Sequence, residues 1–278
     1  VVFKGFLIGF LTLLLLIPTV MISDLIEERR SRQEEAVKEV NSKWAGGQTI
    51  TGPIIAVPYN IHIQNSKGEA SVIKEHAYFL PAALNIYTEI VPEQRSRGIY
   101  SVVVYNSRIN ITGKFESFKP ELLNIAPEDM LWNEAIINFK VSDVRGLNDV
   151  VRFIWEGESV ELIPGNAKVG DKSGYLGSDF PATVTDLANG GSFKLSISVK
   201  GSENLMFVPV GKETAVKVVS PWPDPGFSGA FLPEQRSVTD NGFSASWKVL
   251  YLNRNYPQQW KDVTYDMDKS AFALNLLI

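Results

Sequence analysis

The side chains able to carry chemistry are few in this chain. It has two histidines, His62 and His76, and no cysteine. A zinc centre needs three or four nitrogen, sulfur or carboxylate ligands at close spacing. His62 and His76 stand 14 residues apart in strand-like sequence without such companions, so both read as ordinary surface or core residues. Asp171, Asp179 and Asp186 fall in a Gly/Ser-rich stretch. They lack the alternate spacing by which a calcium loop gathers oxygens, and read as solvated turn residues. No Gly-x-Ser-x-Gly elbow, glycine-rich phosphate loop or dinucleotide fingerprint occurs. The expectation is a protein without catalytic residues, metal or cofactor. A hydrolase would require a buried Ser or Asp cluster assembled from distant segments.

Two segments have the residues of a turn or a contact surface. Ser142-Asp143-Val144-Arg145-Gly146-Leu147 has an Asp able to cap backbone N–H groups and a Gly able to take a positive φ. Asp143 and Arg145 could instead pair across an interface. Ser220-Pro221-Trp222-Pro223-Asp224-Pro225-Gly226-Phe227 is stiffened by three prolines. It reads as a crossover between strands, anchored by Trp222 and Phe227, with a docking ridge built on Trp222, Pro223, Asp224 and Phe227 as the alternative.

The elements that must hold these segments begin with an anchor. Residues 1–22 carry one charge, Lys4. A helix of that length rises about 33 Å, enough for a hydrocarbon core of about 30 Å. The run exceeds a signal-peptide core and passes at Ile22-Ser23-Asp24 into charged sequence rather than a small-x-small cleavage site. Residues 1–22 are therefore expected to cross a lipid bilayer, with a kink at Pro18. Lys4 stands at the start of the span while Arg29, Arg30 and Arg32 follow it. That distribution would favour a cytoplasmic domain, but large domains translocate largely regardless of such charges.

Residues 23–47 read as a charged helical stalk, with Ile22, Ile26, Val37, Val40 and Trp44 at roughly helical spacing and Ala45-Gly46-Gly47 as its stop. Its charge run reads as a solvated face. From Gln48 onward, short β-branched and aromatic runs alternate with Gly, Pro and Asn turns, the pattern of antiparallel strands. Strands are expected at 54–64, 98–105, 108–115, 136–141, 151–155, 193–199 and 244–251, with a helical turn near 120–125. Phe272, Leu274, Leu276 and Ile278 alternate as a strand does. A chain stopping on such a strand is expected to continue in the full protein.

An ordered set of landmarks recurs. Val57-Pro58, Phe79-Leu80-Pro81, Gly98-Ile99-Tyr100 and Ala135 to Phe139 are echoed by Val208-Pro209, Phe231-Leu232-Pro233, Gly242-Phe243-Ser244 and Phe272 to Leu276. Two related β-units, 48–150 and 151–278, packed as a large β-sandwich would explain the echo. So would the ordinary habit of Pro and Gly marking strand ends. A formal net charge of −4, from 27 basic and 31 acidic residues, argues against a nucleic-acid partner.

The ordered elements resemble the CreD family of inner-membrane proteins, linked to colicin tolerance and cell-envelope integrity. The resemblance rests on the N-terminal span, the charged stalk, Thr51-Gly52-Pro53-Ile54-Ile55-Ala56-Val57-Pro58, Phe79-Leu80-Pro81, Ser142 to Gly146, and the run from Trp222-Pro223 through Phe231-Leu232-Pro233 to Gly242-Phe243. It implies a Gram-negative inner membrane, a periplasmic β-domain, and further membrane helices after the domain. No catalytic residues come with it. The function expected is support of envelope integrity or stress response through contacts with an envelope protein partner. The alternative is a lipid or small-ligand carrier using an apolar groove between the β-units.

Overall fold

The computed structural model describes residues 2–64, 70–166, 174–184 and 186–276. Helix α1 runs unbroken from Val2 to Lys43. The expected span and stalk are thus one rod of 42 residues, about 63 Å long. Past Pro18 no Gly or Pro interrupts it, and Glu28–Arg32, Arg30–Glu34 and Glu39–Lys43 pairs brace successive turns. Leu7, Phe10, Leu14, Ile22 and Ile26 are all exposed, as lipid-facing residues must be. The helix stops at Lys43, two residues ahead of Ala45, and the Trp44 N–H still bonds to the Val40 carbonyl.

The remaining chain forms two mixed sheets around one core. In spatial order, the first contains β13 (Pro225–Gly229), β17 (Phe272–Leu276), β11 (Asn204–Phe207), β1 (Gln48–Gln64), β5 (Ile136–Val141), β9 (Tyr175–Asp179) and β8 (Ile163–Pro164). β2 (Ala70–Phe79) pairs with β1 as a hairpin and carries β16 (Gln259–Lys261). The second sheet runs β14 (Gln235–Thr239), β15 (Gly242–Leu250), β12 (Glu213–Ser220), β3 (Ala83–Arg97), β4 (Tyr100–Phe115), β10 (Gly191–Ser202), β6 (Arg152–Trp155) and β7 (Glu158–Glu161).

Alternation marks the central strands of the second sheet. Leu84, Ile86 and Ile90 of β3 point inward with Ile109 and Ile111 of β4, Leu195 and Ile197 of β10, and Val216 and Val218 of β12. Tyr87 and Glu89, between them, face solvent. β1 is buried from Ile50 to Tyr59 without alternation, as suits a central strand covered on both faces. Its Gly52-Pro53 bond is cis and lies where the pairing with β5 shifts register, between Thr51 and Ile54. Proline donates no ladder bond, and the irregularity accommodates that.

Two pairs depart from the antiparallel pattern. β1 runs parallel to β11, with Gln48 opposite Leu205, and β3 runs parallel to β12, with Ala83 opposite Glu213. The stretches 98–105 and 108–115 form one strand, β4, because Asn106 and Ser107 stay in the ladder opposite Val91 and Ile90. Segments 48–150 and 151–278 each contribute strands to both sheets. After Pro58 the chain stays in the first sheet through β2, whereas after Pro209 it passes directly to β12 in the second. The pairs β1·β5 and β11·β17 are both antiparallel.

Candidate functional site

A densely bonded polar cluster forms a collar where α1 meets the sandwich. Gln48, the first residue of β1, is fully buried. Its side-chain amide donates from Nε2 to the carbonyls of Asp143 (3.0 Å) and Lys200 (2.8 Å), while Oε1 accepts the Asp143 N–H at 3.1 Å. Ser142 Oγ donates to the Gly47 carbonyl at 3.2 Å and accepts the Thr49 N–H at 2.9 Å. One amide thus closes a three-way junction of the helix exit, the end of β5 and the end of β10.

Asp143 caps the 3₁₀ turn Val144–Gly146, accepting the Arg145 N–H at 3.2 Å and, across the junction, the Gly46 N–H at 3.1 Å. The Arg145 guanidinium grips the same carboxylate through Nε (2.9 Å) and Nη2 (2.6 Å), and Nη1 reaches the Ser42 carbonyl at the end of α1 (3.2 Å). That bidentate partner holds the Asp143 carboxyl below the usual carboxylate range, helped by the two backbone donors. Arg145 Nη1 also satisfies one of the carbonyls that every helix end leaves open.

Gly146 corrects the sequence reading. Its φ is not positive, and space is what it supplies. A Cβ there would lie 2.3 Å from the Lys200 carbonyl and 2.5 Å from Gln48 Nε2. Neighbouring Gly201 is as constrained, since a Cβ would meet the Tyr105 hydroxyl at 2.2 Å. Tyr105 is buried and its hydroxyl donates to the Asn204 carbonyl at 2.7 Å. Ser202 completes the collar, its N–H on the Gly46 carbonyl (3.2 Å) and its hydroxyl 2.5 Å from Asn41 Oδ1. Trp44 lies outside the ring with the Lys200 ammonium 5.0 Å and the Arg95 guanidinium 5.4 Å from its ring centre.

The Trp222 segment is elsewhere. It carries the chain from β12 in one sheet to β13 at the edge of the other. Trp222 and Phe227 are half-buried on the core, Phe227 meeting Phe243 and Trp247 edge-on at 6.0 and 5.6 Å. Pro223 and Asp224 are exposed. Four strand spacings, about 19 Å, separate β13 from β5, so the Asp143 and Trp222 groups do not meet. Local sequence pattern does not mark Gln48, Lys200, Gly201 or Ser202 as parts of this collar. A glutamine opening an apolar strand beside Gly46-Gly47 was the available signal.

The other candidates stay apart. His62 Nε2 is 2.9 Å from Asp129 Oδ1 on an exposed hairpin arm, and His76 stacks on Tyr78. Asp186 accepts from Asn189 Nδ2 at 2.7 Å, and Asp179 ends β9. Asp171 lies outside the described residues. Among the described residues, no three His, Asp or Glu side chains converge to hold a metal. At the end remote from α1, an open cleft of about 240 Å³ is lined by Phe79, Phe118, Leu122, Lys212, Tyr251 and Gln258.

A long exposed apolar helix clamped to a two-sheet β-domain defines a membrane-anchored β protein. The family model for the inner membrane protein CreD matches residues 1–278, and the chain belongs to that family. A curated relative, the inner membrane protein CreD of Escherichia coli (strain K12), is 27% identical over 252 residues, which cover 89% of this chain. The match takes in 55% of the relative, so the chain spans about half that protein's length.

Proposed function

We propose that the chain holds a periplasmic β-domain at a fixed height and orientation above the inner membrane, and supports envelope integrity through protein contacts without covalent chemistry. The collar carries this reading. Asp143, Arg145, Gln48 and Ser202 tie the last turn of α1 to both sheets, so the sandwich is a stiff continuation of the anchor. A domain tethered for reach alone would need no such joint, and a flexible Gly/Ser linker would serve. The exposed apolar residues Leu122 and Leu252 at the remote end offer contact surface where a partner would arrive. Among the described residues, Tyr105, Phe139, Phe153, Phe193 and Phe207 pack the core between the sheets, which favours contact over carriage.

The test is complementation in a bacterial host deleted for its own relative, scoring dye entry through the envelope. A collar variant such as Gln48→Ala, expressed and membrane-inserted at the wild-type level, should fail to restore the barrier. Full restoration would remove the requirement for fixed geometry. Capture through a crosslinker at Leu252→Cys that recovers nothing above an anchor-only control would count against the contact role.

A further inference from the structure

The hairpin of β3 and β4 extends past the collar along α1. At collar level Tyr105 pairs with Pro92, and from there five residues lead down β4 to Tyr100, about 17 Å. Along the helix, Lys43 to Arg29 is 14 residues, about 21 Å in the same direction. The two meet where the Tyr100 hydroxyl donates to the Arg29 carbonyl at 3.3 Å. The hairpin closes in two residues, Gly98 and Ile99, with Gly98 at φ +61° in the first central position, the pattern of a type II′ turn. This short turn sets Ile99 at the apex, 84% exposed.

That height matters because of where the apolar run ends. Arg29 follows Ile22 by seven residues and Ile26 by three, about 10 and 5 Å of helix. The headgroup layer on one side of a bilayer is about 5–8 Å thick. Leu25 and Ile26 are the last exposed apolar residues of the run. Measured from Ile26, and with α1 crossing the membrane, Arg29 lies within the headgroup layer and the apex beyond Tyr100 arrives there with it. There an exposed isoleucine followed by a tyrosine is the amphipathic pair that an interface favours, beside the arginines at 29 and 30.

We propose that the β3–β4 hairpin is a second membrane contact, with Ile99 entering the headgroup layer and Tyr100 holding the apex to α1. The domain would then stand on two feet, which fixes its tilt as well as its height. The inference rests on α1 spanning the bilayer, and the experiment separates the two. Because the chain has no cysteine, single cysteines at Leu14, Ser23, Ile99 and Leu252 can each carry an environment-sensitive fluorophore in the full chain. The proteins are reconstituted into vesicles of phosphatidylethanolamine and phosphatidylglycerol containing nitroxide lipids labelled at the headgroup or in the acyl chain.

Headgroup nitroxide should quench Ile99 about as strongly as Ser23 and leave Leu252 bright, with a blue shift at Ile99 on reconstitution. Quenching at Leu14 by acyl-chain nitroxide together with a bright Ile99 would overturn the second contact while leaving the anchor intact. A blue shift at Ile99 without lipid quenching would also overturn it, since protein would then be covering the apex. A bright Leu14 would remove the spanning helix and the hairpin contact together.

Discussion

Gln48 and Asp143 are bonded in both directions, side-chain amide to backbone, with Nε2 on the Asp143 carbonyl and Oε1 on the Asp143 N–H. The pair imitates one rung of a β-ladder where the strands themselves have ended. A glutamine is suited to this, because its amide presents a donor and an acceptor in one plane.

Removing that amide strands the buried partners. Gln48→Leu should lower stability by about 2–4 kcal/mol, since each abandoned buried polar group costs about 1–3 kcal/mol. Urea unfolding of the protein in detergent, followed by tryptophan fluorescence, reads the change. A loss under half a kcal/mol would mean the junction is braced by other contacts.

Gly146→Val tests the spatial role of that glycine. The new Cβ must displace backbone at Lys200 or the Gln48 amide, an overpacking cost of about 1–3 kcal/mol or more. Thermal melts should show the loss even though the native φ at Gly146 suits any residue.

The Asp143 carboxylate predicts a pH dependence. Its folded pKa is depressed, principally by the Arg145 hydrogen bonds. The stabilisation is therefore present above the unfolded value of about 3.9 and is lost as pH falls through the depressed folded value. Asp143→Asn should be less stable than wild type near neutrality by under about 1 kcal/mol, because solvent screens the exposed Arg145 side of the pair. The gap should close in acid. A gap unchanged at low pH would show that the carboxylate charge is immaterial.

In the crossover, Phe227→Ala should cost about 2–3 kcal/mol for lost burial and ring contacts. Asp224→Ala should stay within about 0.5 kcal/mol, as exposed substitutions do. Equal effects would contradict the anchored crossover.

Orientation is tested at the remote end. An impermeant maleimide should label Leu252→Cys in spheroplasts whose inner membrane is sealed. Protection until lysis would place the β-domain in the cytoplasm.

Much of this architecture follows from local pattern. The anchor is written in a run of apolar residues long enough for a bilayer, and β5 from Ile136 to Val141 in a β-branched and aromatic run bounded by turn residues. The Asp143 cap was legible too, because a cap depends on residues within three positions of one another. Tertiary structure alone decided the parallel pairing of Gln48 with Leu205 and of Ala83 with Glu213, residues more than a hundred positions apart. It also decided why Gly146 must be small and why Tyr100 stands beside Arg29. Periodicity tells a strand which face to bury but not which strand to lie against. That choice is made only when distant segments are brought together around the shared core.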